Sequence, residues 1–60
     1  MQEFEALKTL VNGAETDVGK FLGGNAAAGR RIRKVMQQVK KQCQSVRVRV
    51  QEIKKYAQES

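Results

Sequence analysis

Apolar residues recur along the first third of the chain in alternating steps of three and four: Phe4, Leu7, Val11, Ala14, Val18 and Phe21. Such spacing is the heptad seam of a helix that packs lengthwise against another, and it predicts a helix from about Gln2 to Leu22. A second seam passes through Ile32, Met36, Val39, Cys43, Val46, Val50, Ile53 and Ala57, predicting a longer helix from Ala26 to about residue 58. Gly23, Gly24 and Asn25 separate the two. Glycine reaches the left-handed conformation that ends a helix, and asparagine is a good N-cap for the next one. Ala26, Ala27 and Ala28 then give the strongest helix-forming composition available. Val46-Arg47-Val48-Arg49-Val50 also alternates as a half-buried strand does. Helix is preferred there because the heptad continues unbroken and no other stretch offers a strand partner.

The expected fold is all-α: one domain over residues 1–60, a two-helix antiparallel, coiled-coil-like hairpin with its turn at 23–25. Gly13 and Gly19 fall off the seam and weaken the first helix by roughly 1 kcal/mol each relative to alanine. Gly29 falls on the extrapolated seam, where a missing side chain permits close approach of the two helices near the turn. At 1.5 Å per residue the helices span ~30 Å and ~50 Å, so the first covers the second only to about Val46. Val50, Ile53 and Ala57 are then left bare. A second copy covers them in a dimeric four-helix arrangement. Small size points the same way, because a short chain builds little core and commonly relies on a disulfide, a metal or a partner. Cys43 is the single cysteine and there is no histidine, so neither a disulfide within the chain nor a metal site is expected. On its seam, Cys43 reads as a small buried hydrophobe.

Charge changes the picture. The chain carries 12 Lys+Arg against 6 Asp+Glu, a formal +6. Up to Gly24 four acids (Glu3, Glu5, Glu15, Asp17) meet two bases (Lys8, Lys20), a net of −2; from Asn25 onward ten bases meet Glu52 and Glu59, a net of +8. With Met36 at heptad position a, Arg33, Lys40, Arg47 and Lys54 all occupy position e. Lys34, Lys41 and Lys55 occupy position f, with Val48 the one interruption, and Gln37, Gln38, Gln44, Ser45, Gln51 and Glu52 take the other flank. A face that serves only solubility mixes Glu with Lys. Here like charges stack at matching positions, which makes sense when an external polyanion neutralises them. Arg30, Arg31, Arg33 and Lys34 cluster at the start of the second helix, where free backbone N–H groups and the helix dipole also favour phosphate.

Other partners fit less well. No apolar run approaches the ~20 residues needed to span a bilayer, and no basic segment followed by an apolar one predicts secretion. A helix lying on a membrane wants large aromatics on its free face, whereas Tyr56 is the only aromatic residue of the second half. Base-specific reading needs a docked recognition element, and single-strand binding needs aromatic platforms; neither is present. Catalysis lacks a histidine, a P-loop and a suggestive acid pair, so no enzyme, cofactor or small-molecule substrate is expected. The lone thiol suits a reducing, cytoplasmic compartment.

The stretch Gly24-Asn25-Ala26-Ala27-Ala28-Gly29-Arg30-Arg31-Ile32-Arg33-Lys34 resembles the chlamydial-type histone-like nucleoid proteins, small basic bacterial proteins likened to linker histones. The similarity covers most of the chain, with its specific part in these eleven residues. Members typically show an acidic or neutral first helix, a Gly-Asn turn, an alanine pair and basic residues opening a long second helix. Two departures stand out: Ala26 occupies a place where lysine is common, and the Lys/Ala/Pro-rich tail of longer members does not follow. That tail supplies much of their DNA condensation. The resemblance therefore implies nonspecific DNA binding by Arg30, Arg31, Arg33 and Lys34 and leaves compaction open.

The resulting expectation is a sequence-nonspecific duplex-DNA binder of the nucleoid, a homodimer contacting phosphates through Arg30, Arg31, Arg33, Lys34, Lys40, Lys41, Arg47, Lys54 and Lys55. Two rivals share the same pattern: a helical-hairpin module docking on an acidic protein, and a binder of structured RNA.

Overall fold

A computed structural model describes residues 1–59, with side-chain surroundings through residue 57. Two helices, α1 (Gln2–Leu22) and α2 (Ala26–Glu59), fold back on each other as an antiparallel hairpin. It is long and thin, 54 × 14 × 12 Å across its Cα atoms. Residues 46–50 are helical, so the local alternation of valine and arginine yields to the heptad around it.

Local chemistry makes the turn. The Gly24 N–H donates to the Phe21 carbonyl and the Asn25 N–H to the Lys20 carbonyl, both at 3.0 Å, the paired bonds of a Schellman ending. Gly24 sits at φ 103°, a conformation that costs a residue with a Cβ roughly 1–2 kcal/mol. Asn25 then caps the next helix: its Oδ1 accepts from the Ala28 N–H at 3.1 Å. One asparagine thus closes α1 and opens α2, leaving no slack in the connection. Glu3 and Glu5 in the first turn of α1 and Lys20 in its last complement the helix dipole.

The packing differs from the expected seam in one respect. Ala14 and Ala28 are the only buried residues among those described, and no large side chain is fully buried. Around them Leu7, Leu10, Ile32, Val35, Val39 and Val46 are half-buried. Leu10 and Val35 thus take places at the joint that the heptad reading gave to Val11 and Met36. Phe4, Val11, Val18, Met36 and Val50 stay 42–49% exposed, and Cys43 is exposed rather than buried. The reason is geometric. Each helix meets its neighbour along two adjacent columns, one of them mixed apolar and polar (Glu3, Leu10 and Asp17 in α1; Ala28, Val35, Gln42 and Arg49 in α2). The third column, of Phe4, Val11 and Val18 or of Met36, Cys43 and Val50, is therefore left outside.

The exposed columns lie together. Val11 and Val18 of α1 line one groove with Met36 of α2, so they share the same side of the hairpin. The opposite side is closed by polar contacts between the helices. Arg31 pairs with Asp17 at 2.9 Å, Gln42 Nε2 donates to the Glu3 carbonyl at 2.7 Å, and Arg49 approaches Glu3 at 3.9 Å. The hairpin therefore has an open apolar side and a closed polar side. α1 begins at Gln2, close to Glu3, and beyond its reach Val50 and Ile53 are 46% and 49% exposed, as the unequal helix lengths require.

The glycines of α1 and α2 differ in what surrounds them. A Cβ at Gly13 or Gly19 would meet nothing within 4 Å, whereas one at Gly29 would stand 2.7 Å from Cδ1 of Phe21. Close approach at Gly29 is thus made by the Phe21 ring lying across the glycine. Gly13→Ala and Gly19→Ala are each expected to stabilise the protein by up to ~1 kcal/mol through helix propensity. Gly29→Ala should gain little, because the ring must leave its seat, and Gly24→Ala should cost ~1 kcal/mol. Urea denaturation checks this series; equal gains at positions 13, 19 and 29 would contradict it.

Candidate nucleic-acid interface

The surface of α2 that points away from α1 holds the basic residues. Positions e, b and f of the heptad are neighbours there, because residues three and four apart adjoin on a helix. Arg33, Lys40, Arg47 and Lys54 form one edge, and Lys34, Lys41 and Lys55 the other. Between them runs the column of Arg30, Gln37, Gln44 and Gln51. A single groove on this surface is lined by Gln37, Lys40, Lys41, Cys43, Gln44 and Arg47. Gln37 and Gln44, assigned from the sequence to a separate neutral flank, thus lie within the basic surface. Stepping three and four residues from Lys40 and Lys41 was the signal that finds them. Their amides add hydrogen-bond donors among the charges.

Ion pairing divides the cations of α2 into two sets. Arg31 is held by Asp17, with Nε and Nη2 donating to the same Oδ1 at 3.1 and 2.9 Å. Arg49 pairs with Glu52 at 3.1 Å and lies 3.9 Å from Glu3. Arg30, Arg33, Lys34, Lys40, Lys41, Arg47, Lys54 and Lys55 make no ion pair among the described residues. The two arginines near the joint serve the fold, and the outward-facing bases are left with water.

Arg31 therefore departs from the other candidate site residues. It stands beside Lys34 at the edge of the basic surface, half-exposed, with its guanidinium turned to α1. The hydrogen bond from Arg31 holds the Asp17 carboxyl below its ordinary value of 3.8; desolvation opposes it, and the charges of Arg31 and Lys20 add smaller lowering effects. The same bond raises Arg31. Arg30, one residue earlier, points outward beside Phe21, Gly29 and Arg33 at the hairpin tip. The tip thus offers Arg30, Arg33 and Lys34 directly and Arg31 only by exchange with Asp17.

No described helix is long and apolar enough to cross a membrane. The family described as histone H1-like protein Hc1 matches residues 1–59, and the chain belongs to it. Membership places the chain among histone-like, DNA-binding nucleoid proteins rather than in a family of enzymes. No curated protein and no solved structure matches the chain significantly.

The Asp17–Arg31 pair carries a pH signature. Because the folded carboxyl titrates below its unfolded value, its stabilisation is present above pH 3.8 and is lost as pH falls through the lower folded value. The stability difference between wild type and Asp17→Asn should therefore be constant near neutrality and shrink on acidification below that pH. Chemical denaturation over an acid series measures it, and a difference unchanged at about pH 2 would show that the pair contributes nothing.

Proposed function

We propose that this protein binds duplex DNA without reading its sequence, as a histone-like architectural component of the nucleoid, acting as a homodimer through the outer surface of α2. The observation that carries the proposal is the division of cations just described. Acids within the chain neutralise Arg31 and Arg49 at the joint, while Arg30, Arg33, Lys34, Lys40, Lys41, Arg47, Lys54 and Lys55 have no ion-pair partner among the described residues. Like charges held in register along one face repel, and a polyphosphate removes that repulsion.

The surrounding chemistry supports phosphate over bases. Flexible lysines and arginines spaced along a convex helix follow a backbone, whereas base readout needs a few side chains delivered deep into a groove. Gln37, Gln44 and Gln51 can donate to phosphate oxygens between the charges. Membership of a histone H1-like family fits the same chemistry. The homodimer rests on the open apolar side: with only two alanines buried, a lone hairpin has almost no core to hold it.

Charge reversal tests the site. Lys40→Glu with Lys41→Glu places two acids at the centre of the surface and should abolish binding to duplex DNA at physiological salt while leaving helicity unchanged. Binding unaffected by that double change would overturn the assignment. Asp17→Ala probes the tip. It frees Arg31, and the slope of log K against log salt should steepen by about one as a further phosphate is neutralised. A slope that stays put would remove Arg31 from the contact set.

A further inference from the structure

The open side of the hairpin has a chemistry that selects its occupant. It exposes Phe4, Val11 and Val18 from α1 and Met36, Cys43 and Val50 from α2 as two adjoining columns. The whole chain exposes 5047 Å², whereas a compact monomer of this mass exposes about 4,000 Å². That excess combines the elongated shape of the hairpin with the apolar side that a single neighbour leaves uncovered. Its flanks differ in charge. On the α2 flank stand Arg33, Lys40, Arg47 and Lys54. On the α1 flank stand Lys8, Glu15 and Leu22, with Lys8 already paired to Glu5 at 3.5 Å, so the free charge there is the acid Glu15.

We infer that a second copy of the chain covers this side with α1 of each copy lying beside α2 of the other, around a twofold axis running along the helices. The inference rests on the homodimer proposed above and specifies its arrangement. Two hairpins can stack their open sides in two ways. An axis across the helices sets α2 against α2 and brings Arg33, Lys40, Arg47 and Lys54 of both copies to one shared edge, like charge against like. An axis along the helices sets each basic edge against the flank that carries Glu15.

The heights agree as well. Asp17 is level with Arg31 across the hairpin. Glu15, two residues earlier, is therefore level with Arg33, two residues later. A twofold axis along the helices preserves height, so Glu15 meets the partner's Arg33. By the same count Leu22, 79% exposed on the monomer, meets the partner's Ala26. Lys8, paired to Glu5 within its own chain, comes level with the partner's Lys40, the like-charge contact this seam must accommodate. Neither Glu15 nor Arg33 has an ion-pair partner within the chain among the described residues. The expected heptad positions a and d then both face the bundle axis, as in four-helix bundles. Arg30, Gln37, Gln44, Lys34, Lys41 and Lys55 remain outside for phosphate, Arg33 passes from that set to the seam between the copies, and both hairpin tips lie at the same end.

Sedimentation equilibrium without DNA tests the arrangement, with circular dichroism confirming helicity. Wild type should be a dimer at micromolar concentration. Glu15→Lys should weaken it at least about tenfold by opposing like charges at two symmetric contacts, and the milder Glu15→Gln by several-fold. Adding Arg33→Glu to Glu15→Lys should restore the dimer. Failure of Arg33→Glu to restore the dimer, or no effect of either change at Glu15, would overturn the arrangement while leaving a dimer. A monomeric wild type would overturn both the arrangement and the homodimer, and the proposed DNA contact would then stand or fall on its own tests.

Discussion

Two helices side by side form one joint, and everything else in this protein follows from how little that joint can bury. Ala14 and Ala28 alone are buried among the described residues. Around them the helices meet through half-covered leucines, isoleucine and valines, with each apolar group contributing only part of the ~25 cal/mol per Å² that full removal from water would give. The Schellman turn and the Asn25 cap limit the loop entropy to be overcome, and the Asp17–Arg31 pair fixes the register near the turn. These are surface-grade interactions of modest size. A chain this short stays ordered by adding surface from elsewhere, and the uncovered columns of Phe4, Val11, Val18, Met36 and Val50 are where that surface is available.

The same economy organises the charge. Four of the six acids lie on α1, where Asp17 and Glu3 face the joint and meet Arg31 and Arg49 of α2. Nothing comparable stands opposite the outer columns of α2. The basic surface is therefore a property of the helix side turned away from the joint, produced by the same heptad that places valines inward. The joint within the hairpin and the proposed DNA contact use different columns of one helix, and a substitution at Lys41 should leave folding alone while one at Val39 should not.

Much of this was legible in the residues. The ends of both helices follow from Gly24 and Asn25, whose chemistry acts within a few residues and needs no tertiary information. The basic columns follow from the heptad alone. The phase of the joint does not. Spacing by three and four identifies the apolar columns of Phe4–Val11–Val18 and Leu7–Ala14–Phe21. The joint takes the second of these together with the largely polar column of Glu3, Leu10 and Asp17, which contact with the other helix and not apolar spacing selects. Hence the spacing does not single out Leu10 and Val35, it predicts Cys43 inside, and it sets the glutamine column on a separate flank. The Asp17–Arg31 pair was readable in one way only: the two stand a heptad to either side of Gly24, so folding the chain at that glycine brings them level.

The central claim is that the outer bases of α2 exchange their counterions for phosphates. Fluorescence anisotropy on an unrelated duplex and on scrambled versions of it, across a salt series, measures this directly. Neutralisation of ~6 phosphates predicts that log K falls with log salt at a slope of roughly −5, the same for every sequence. Absence of binding even at low salt, or affinity that depends on sequence but hardly on salt, would contradict it.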